Sequence, residues 1–112
     1  MTHRGEQAEQ IAAEYLQRQG LAIVERNYRC RYGEIDLILR DGDTLVFAEV
    51  RLRSSGSFGG AAVSIDAAKQ ARLIRAAEHY LATQPRLPPC RFDAVLLSSL
   101  NDIEWIKNAF AT

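Results

Sequence analysis

No apolar stretch in this sequence approaches the roughly 18 to 20 residues that a membrane-spanning helix needs, so nothing in it predicts a membrane protein. The opening residues, MTHRGEQAEQ, also lack the charged-then-apolar layout of a secretory signal, which makes cytoplasm the expected compartment. Cysteine is scarce. Cys30 and Cys90 lie far apart and in no metal-ligand spacing, so two reduced thiols are the expected state, with a disulfide as the alternative. His3 and His79 have no ligand spacing to one another either, and read as surface residues. An excess of positive charge is missing too: 14 basic residues balance 14 acidic ones, an unusual start for a nucleic-acid binder. Lysine is nearly absent, only Lys69 and Lys107, so arginine carries almost all the positive charge. Its planar fork suits phosphate, although a GC-rich genome produces the same bias. Residues 54–62 (SSGSFGGAA) are rich in glycine and serine but lack the Gly-Lys-Ser/Thr ending of a phosphate loop, which argues against nucleotide binding and leaves a flap over substrate as a role.

What is present fits one globular domain over residues 1–112: 47% hydrophobic and 25% charged residues, with no internal repeat. Residues 5–19 predict a helix closed by Gly20, with Ala8, Ile11, Ala12, Tyr15 and Leu16 within an arc of about 140°. Glu9 lies at the edge of that stripe, so alone among the helix acids Glu6, Glu9 and Glu14 it leans toward the core. A strand is expected over Leu21–Cys30. In GEIDLILRDGDTLVFAEVRLR two runs of β-formers flank Asp41-Gly42-Asp43-Thr44, which reads as a hairpin with Gly42-Asp43 as its two-residue loop. A second helix is expected from Ser64 or Asp66 to Thr83, before Pro85, Pro88 and Pro89. Residues 91–99 predict a strand, and residues 102–110 a last strand or a short mixed segment. Trp105, Tyr80 and Phe92 are assigned to the core rather than to base stacking.

With Gly42-Asp43 as the loop, facing residues have numbers that sum to 85, which places Asp36 opposite Glu49 and Glu34 opposite Arg51. Strand alternation further groups Glu34, Asp36, Ile38 and Arg40 on one face, and Leu45, Phe47, Glu49, Arg51 and Arg53 on the partner's. Two carboxylates side by side in an apolar sheet repel, and burial raises that cost unless a proton or a cation intervenes. Hard oxygen ligands of this kind select Mg²⁺ or Mn²⁺. The ordinary alternative is Glu49 paired with Arg51 or Arg53 and Asp36 facing water.

Glu9 in AEQIAAEYL, Asp36 in GEIDLI, and Glu49-Val50-Arg51 after twelve intervening residues resemble the PD-(D/E)xK nuclease superfamily. RGEQAE, RNYRCRYGEIDLI, LVFAEVRLR, FGGAAVSIDAAKQARLIRAAEHYL, RFDAV and WIKNAF resemble the YraN-like bacterial family across nearly the whole chain. That family is related to the archaeal Holliday-junction resolvases. The resemblance implies a restriction-endonuclease-like three-layer α/β fold, a mixed sheet of about five strands flanked by helices. It also implies Mg²⁺-dependent hydrolysis of phosphodiester bonds in branched or structured DNA. Asp36 and Glu49 become the metal ligands, the Val50 carbonyl completes part of the shell, and Glu9 acts directly or through a water. The related resolvases work as dimers; the sequence itself does not establish a homodimer.

One position departs from the motif. Arg51 stands where the superfamily usually has lysine; it keeps the charge but cannot accept a proton. It is expected either to clamp phosphate or to pair with Glu34. Lys69 sits at the margin of the second helix's apolar stripe and Gln70 within it; related nucleases use helix residues here to orient water or phosphate. The alternative is a solvent-exposed Lys69 and a Gln70 bonded to backbone. Arg29, Arg31, Arg53 and Arg72, with Arg26 and Arg75 near them, form a candidate basic rim for DNA. A non-catalytic DNA-binding or assembly module on the same fold is the second reading; zero net charge and Arg51 favour it.

Overall fold

A computed structural model describes residues 3–52, 65–99 and 102–110. The elements run α1 (His3–Arg18), β1 (Ala22–Cys30), β2 (Gly33–Asp41), β3 (Thr44–Leu52), α2 (Ala67–Leu81), β4 (Cys90–Ser99) and β5 (Asp102–Ile106). The Gly/Ser-rich segment 54–62 and Arg53 lie outside the described residues.

Helix α1 ends as its sequence predicts. Gly20 takes φ +100°, Gly20 N donates to Gln17 O at 3.0 Å, and Leu21 N donates to Leu16 O at 3.1 Å. This double bond pattern is a Schellman cap, in which a glycine without a Cβ tolerates the left-handed conformation. Leu16 and Leu21, brought together by the cap, are both buried in the α1-side core. Helix α2 begins at an N-cap, Asp66, whose carboxylate accepts from Lys69 N at 2.8 Å.

The five strands lie in chain order, β1-β2-β3-β4-β5. Only β3 and β4 are parallel, and α2 lies between them in sequence because a parallel pair cannot be joined by a tight turn. The β2–β3 hairpin has the expected register: Leu37↔Ala48, Ile38↔Phe47, Leu39↔Val46, Arg40↔Leu45 and Asp41↔Thr44. Gly42 has φ +60° and Asp43 is not in the positive region, which matches a turn with glycine at the first central position.

Alternation along the strands divides the core. Leu37, Leu39, Val46, Ala48, Val95 and Leu97 pack with Ala8, Ala12, Ala13 and Leu16 of α1. Ile38, Leu45, Phe47, Phe92, Ala94 and Leu96 pack with Leu73, Ala76, Ala77 and Tyr80 of α2. The result is a mixed sheet between two helices, an α/β architecture compatible with the restriction-endonuclease-like fold.

Strict alternation fails at one level. Ile35 belongs to the α2-side core and Leu37 to the α1-side core, although residues two apart should share a face. On β1 the same switch occurs opposite: Tyr28, paired with Ile35, packs on the α2 side, while Arg26, paired with Leu37, reaches Gln10 of α1. Between these pairs lie Asn27, at φ +51°, and Asp36. The expectation that Glu34, Asp36 and Ile38 share a face is therefore overturned. An asparagine in the left-handed region lets the β1–β2 ribbon turn over at this level, because its short polar side chain tolerates that conformation.

Candidate functional site

The β2–β3 ladder stops at Leu37↔Ala48, one pair short of Asp36 and Glu49, while β3 continues alongside β4 as far as Leu52↔Leu97. The two strands part here, and the Asp36 side chain fills the gap. Its Oδ2 accepts from Val50 N at 2.8 Å, replacing a ladder bond that the separated strands cannot make. Asp36 and Glu49 are thus immediate neighbours, as the register predicted, but through a split in the sheet rather than as a regular facing pair. Glu34 does not meet Arg51. It pairs with Arg29 instead, Nε to Oε2 at 3.2 Å, because β1 and not β3 lies beside it at this level.

Glu49 is 4% exposed and points toward α2, where Lys69 Nζ lies 3.2 Å from its Oε2. Arg51 Nη1, from the same strand, lies 3.4 Å from the same oxygen. The departure at Arg51 is accompanied by a lysine supplied from α2. Gln70 has the backbone role: its Nε2 donates to Ile65 O at 3.0 Å, tying the first turn of α2 to the chain that enters it.

Glu9, from α1, closes the other side. Asn27, with its amide nitrogen turned toward the carboxylates, donates to Glu9 Oε1 and Glu34 Oε2 at 3.0 Å each. Burial raises the Glu9 pKa, Asn27 offsets part of that rise, and Glu34 and Glu49 add to it, while a hydrogen bond with Asp36 lowers it. Asp36 is pushed up to about 8, first by burial, then by the Glu49 carboxylate; the Val50 N–H offsets part of this, and Glu9 adds to it. Asp36 has no cationic partner among the described residues, whereas Glu49 has two. The acids form a chain, Glu9 to Asp36 to Glu49, rather than a converging triad. No three His, Cys, Asp or Glu side chains among the described residues come together as metal ligands.

Of the arginines expected to form a rim, Arg29, Arg31 and Arg72 lie at the β1–β2 turn or beside it. Arg29 and Arg31 flank the β1–β2 turn, and Arg31 lies over the Tyr32 ring, 4.9 Å from its centroid. Arg72 of α2 sits above Gly33: a Cβ there would lie 3.6 Å from Arg72 Cβ.

Two features escaped the sequence reading. Asp93, 1% exposed, accepts from Arg91 Nε, Trp105 Nε1 and Asn108 N, each at 3.0 Å, and so ties β4 to β5 and the turn after it. A charged residue inside the apolar run FDAVLL was its signal. Tyr28 and His79 form the second, Oη to Nδ1 at 2.6 Å, joining β1 to the exposed side of α2. Tyr80 and Phe92 are core residues as expected, and Trp105 is half-buried. Both cysteines are free thiols. No helix among the described residues is long and apolar enough to cross a membrane.

An acidic pair at the split between two antiparallel strands, on a mixed sheet between two helices, is the layout of a PD-(D/E)xK nuclease-like protein. The sequence profile of the uncharacterised protein family UPF0102 matches residues 8–97, and this chain belongs to that family, the YraN-like family that its motifs resemble. A UPF0102 protein of Nitrosomonas europaea is 64% identical over 110 residues, covering 96% of this chain and 93% of the relative. A UPF0102 protein of Cupriavidus metallidurans is 61% identical over 110 residues, covering 97% and 81%. One of Methylobacillus flagellatus is 54% identical over 113 residues, covering 99% of each.

Proposed function

We propose that this chain is a cytoplasmic, divalent-metal-dependent endonuclease that hydrolyses phosphodiester bonds in branched or structured DNA. The observation that carries the reading is the uncompensated Asp36. It lies in the sheet against Glu49 and within hydrogen-bonding reach of Glu9, its pKa raised to about 8, with only a backbone N–H to balance it. A group so placed is neutral without a cation and a strong ligand with one. The donor set suits Mg²⁺ or Mn²⁺, hard ions that accept two carboxylates and keep several waters. Asp36 and Glu49 would hold the ion, with the Val50 carbonyl as a backbone ligand and Glu9 reaching it directly or through a water. Such an ion supplies an activated water and offsets charge on the phosphate.

The chain's own residues have separable tasks. Val50 N–H fixes the Asp36 carboxylate at the strand split. Lys69 and Arg51 hold Glu49 in one orientation from two sides. Both are cations within reach of any phosphate that meets Glu49, and Lys69, the less encumbered point charge, takes the place of the motif lysine. Arg29, Arg31, Arg53 and Arg72 serve the DNA backbone.

The deciding experiment is cleavage of junction, flap and linear DNA with Mg²⁺ or Mn²⁺ by wild type, Asp36→Asn and Glu49→Gln. Metal-dependent cleavage lost in both variants is expected; cleavage undiminished in both would sink the reading. One observation favours the second reading, a non-catalytic DNA-binding or assembly module. Glu49 is already neutralised by two cations, and no three ligand side chains converge among the described residues. DNA binding without cleavage or Mn²⁺ binding would establish that module instead.

A further inference from the structure

Away from the acids, the described residues form a concavity of another character. A cavity of about 460 Å³ opens between the β1–β2 turn and the outer side of α2, lined by Tyr32, Arg75, Glu78 and His79. Its walls are held in place. Gly33 takes φ +150°, a conformation that L side chains rarely adopt, and this shapes the turn that carries Tyr32 beside Arg72 of α2. The Tyr32 and His79 rings meet at a centroid distance of 6.0 Å and an angle of 62°, and the Tyr28 hydroxyl at 2.6 Å anchors the His79 imidazole through Nδ1.

We propose that this cavity receives an unpaired nucleobase of the DNA strand whose phosphate lies at the Asp36–Glu49 site. The inference rests on the nuclease reading and adds the kind of substrate: a strand with at least one base out of the duplex. Three features select a base. The Tyr32 and His79 rings, set at 62° to each other, form an aromatic corner in which a base stacks on one ring and meets the edge of the other, without regard to sequence. Glu78 presents a carboxylate that can accept from an exocyclic amine and that repels a bare phosphate or other small anion. Arg75 supplies the guanidinium that the base's own phosphate needs, and neither Arg75 nor Glu78 forms an ion pair with another described residue. The volume falls within the range of small-ligand pockets, about 300–1,000 Å³. Position is compatible: Arg75 stands about 9 Å along α2 and about 120° around it from Lys69, which contacts Glu49, with Arg72 halfway between them as a step for the strand.

The test is a fluorescence titration of the full chain, in EDTA, with a short single-stranded deoxyoligonucleotide carrying one 2-aminopurine, alongside the same label within a duplex. Stacking quenches this base, so quenching by the single strand and not by the duplex is expected. Tyr32→Ala and the exposed Arg75→Ala should each weaken binding about fivefold or more, Tyr32→Ala with loss of the quench and Tyr32→Phe restoring it. Absence of quenching in the wild type, or equal affinity and quenching in both alanine variants, overturns the proposal. EDTA keeps the measurement independent of hydrolysis. Quenching without cleavage in Mg²⁺ leaves the cavity standing and removes the nuclease; cleavage without quenching does the reverse.

Discussion

At the scale of single residues, the proposed site turns on Asp36 and Lys69, and each makes a separate prediction. Burial and the adjacent carboxylates raise Asp36 from its ordinary value to about 8, so between about pH 4 and pH 8 the folded protein binds a proton that the unfolded chain has released. That proton's contribution to stability is complete below the unfolded value of 3.8 and is lost as pH rises through the folded one. Asn keeps an acceptor for Val50 N–H and never ionises. In metal-free buffer Asp36→Asn should therefore match wild type near pH 4 and exceed it near pH 8 by about 1–3 kcal/mol, read by urea unfolding. A gap that is constant with pH refutes the assignment. Lys69→Met tests the relocated lysine: junction cleavage should fall about 10²–10³-fold, the scale for loss of one group that stabilises charge in the transition state. Equal effects of Lys69→Met and Arg51→Met would show that the two cations are interchangeable.

Among the elements, the hairpin was the most legible. Gly42-Asp43 specified its loop, and the loop specified the register, because side-chain period and turn length together leave little freedom. Gly20 likewise marked where the first helix ends, and of the two starts read for the second helix, Ser64 or Asp66, the N-cap is Asp66. The ribbon's turnover at Asn27 and Asp36 was not legible. It depends on a single left-handed asparagine, and alternation continued through GEIDLI conceals it. The adjacency of Asp36 and Glu49 was nonetheless inferred correctly, since a register count does not depend on which face a side chain takes. Lys69 was placed only at the margin of a stripe; its contact with Glu49 follows from how α2 crosses the sheet, and residue spacing does not encode that. Asp93 belongs to this scale, because it joins β4, β5 and the turn beyond. Removing its carboxylate leaves Arg91 Nε, Trp105 Nε1 and Asn108 N without that acceptor, although Arg91 keeps Asp41, so Asp93→Ala should cost about 1–3 kcal/mol in denaturant unfolding. A loss below about 1 kcal/mol would mean that water replaces it there.

For the whole molecule, a formal charge of zero and an Asp36 with no cationic partner among the described residues make a joint prediction about ions. With Asp36 at about 8, most of the metal-free protein holds that proton at pH 7, and a divalent ion must displace it. Calorimetric titration with Mn²⁺ at pH 7, in buffers of different ionisation heat, should report release of about one proton, falling toward none at pH 9. A heat independent of buffer would exclude Asp36 as the ligand.

The sheet's two borders bear on how copies of this chain meet. On β1 the register shifts between Ile23 and Glu25, and the exposed Glu25 and Arg26 follow. At the opposite border β5 is five residues long and carries exposed Asp102 and Glu104, beside a second register shift between Leu97 and Ser99. Bulges, charges and brevity interrupt the row of free N–H and C=O groups that another strand needs as a template. Among the described residues neither border offers an uninterrupted template, so growth of a continuous sheet from one copy to the next is disfavoured.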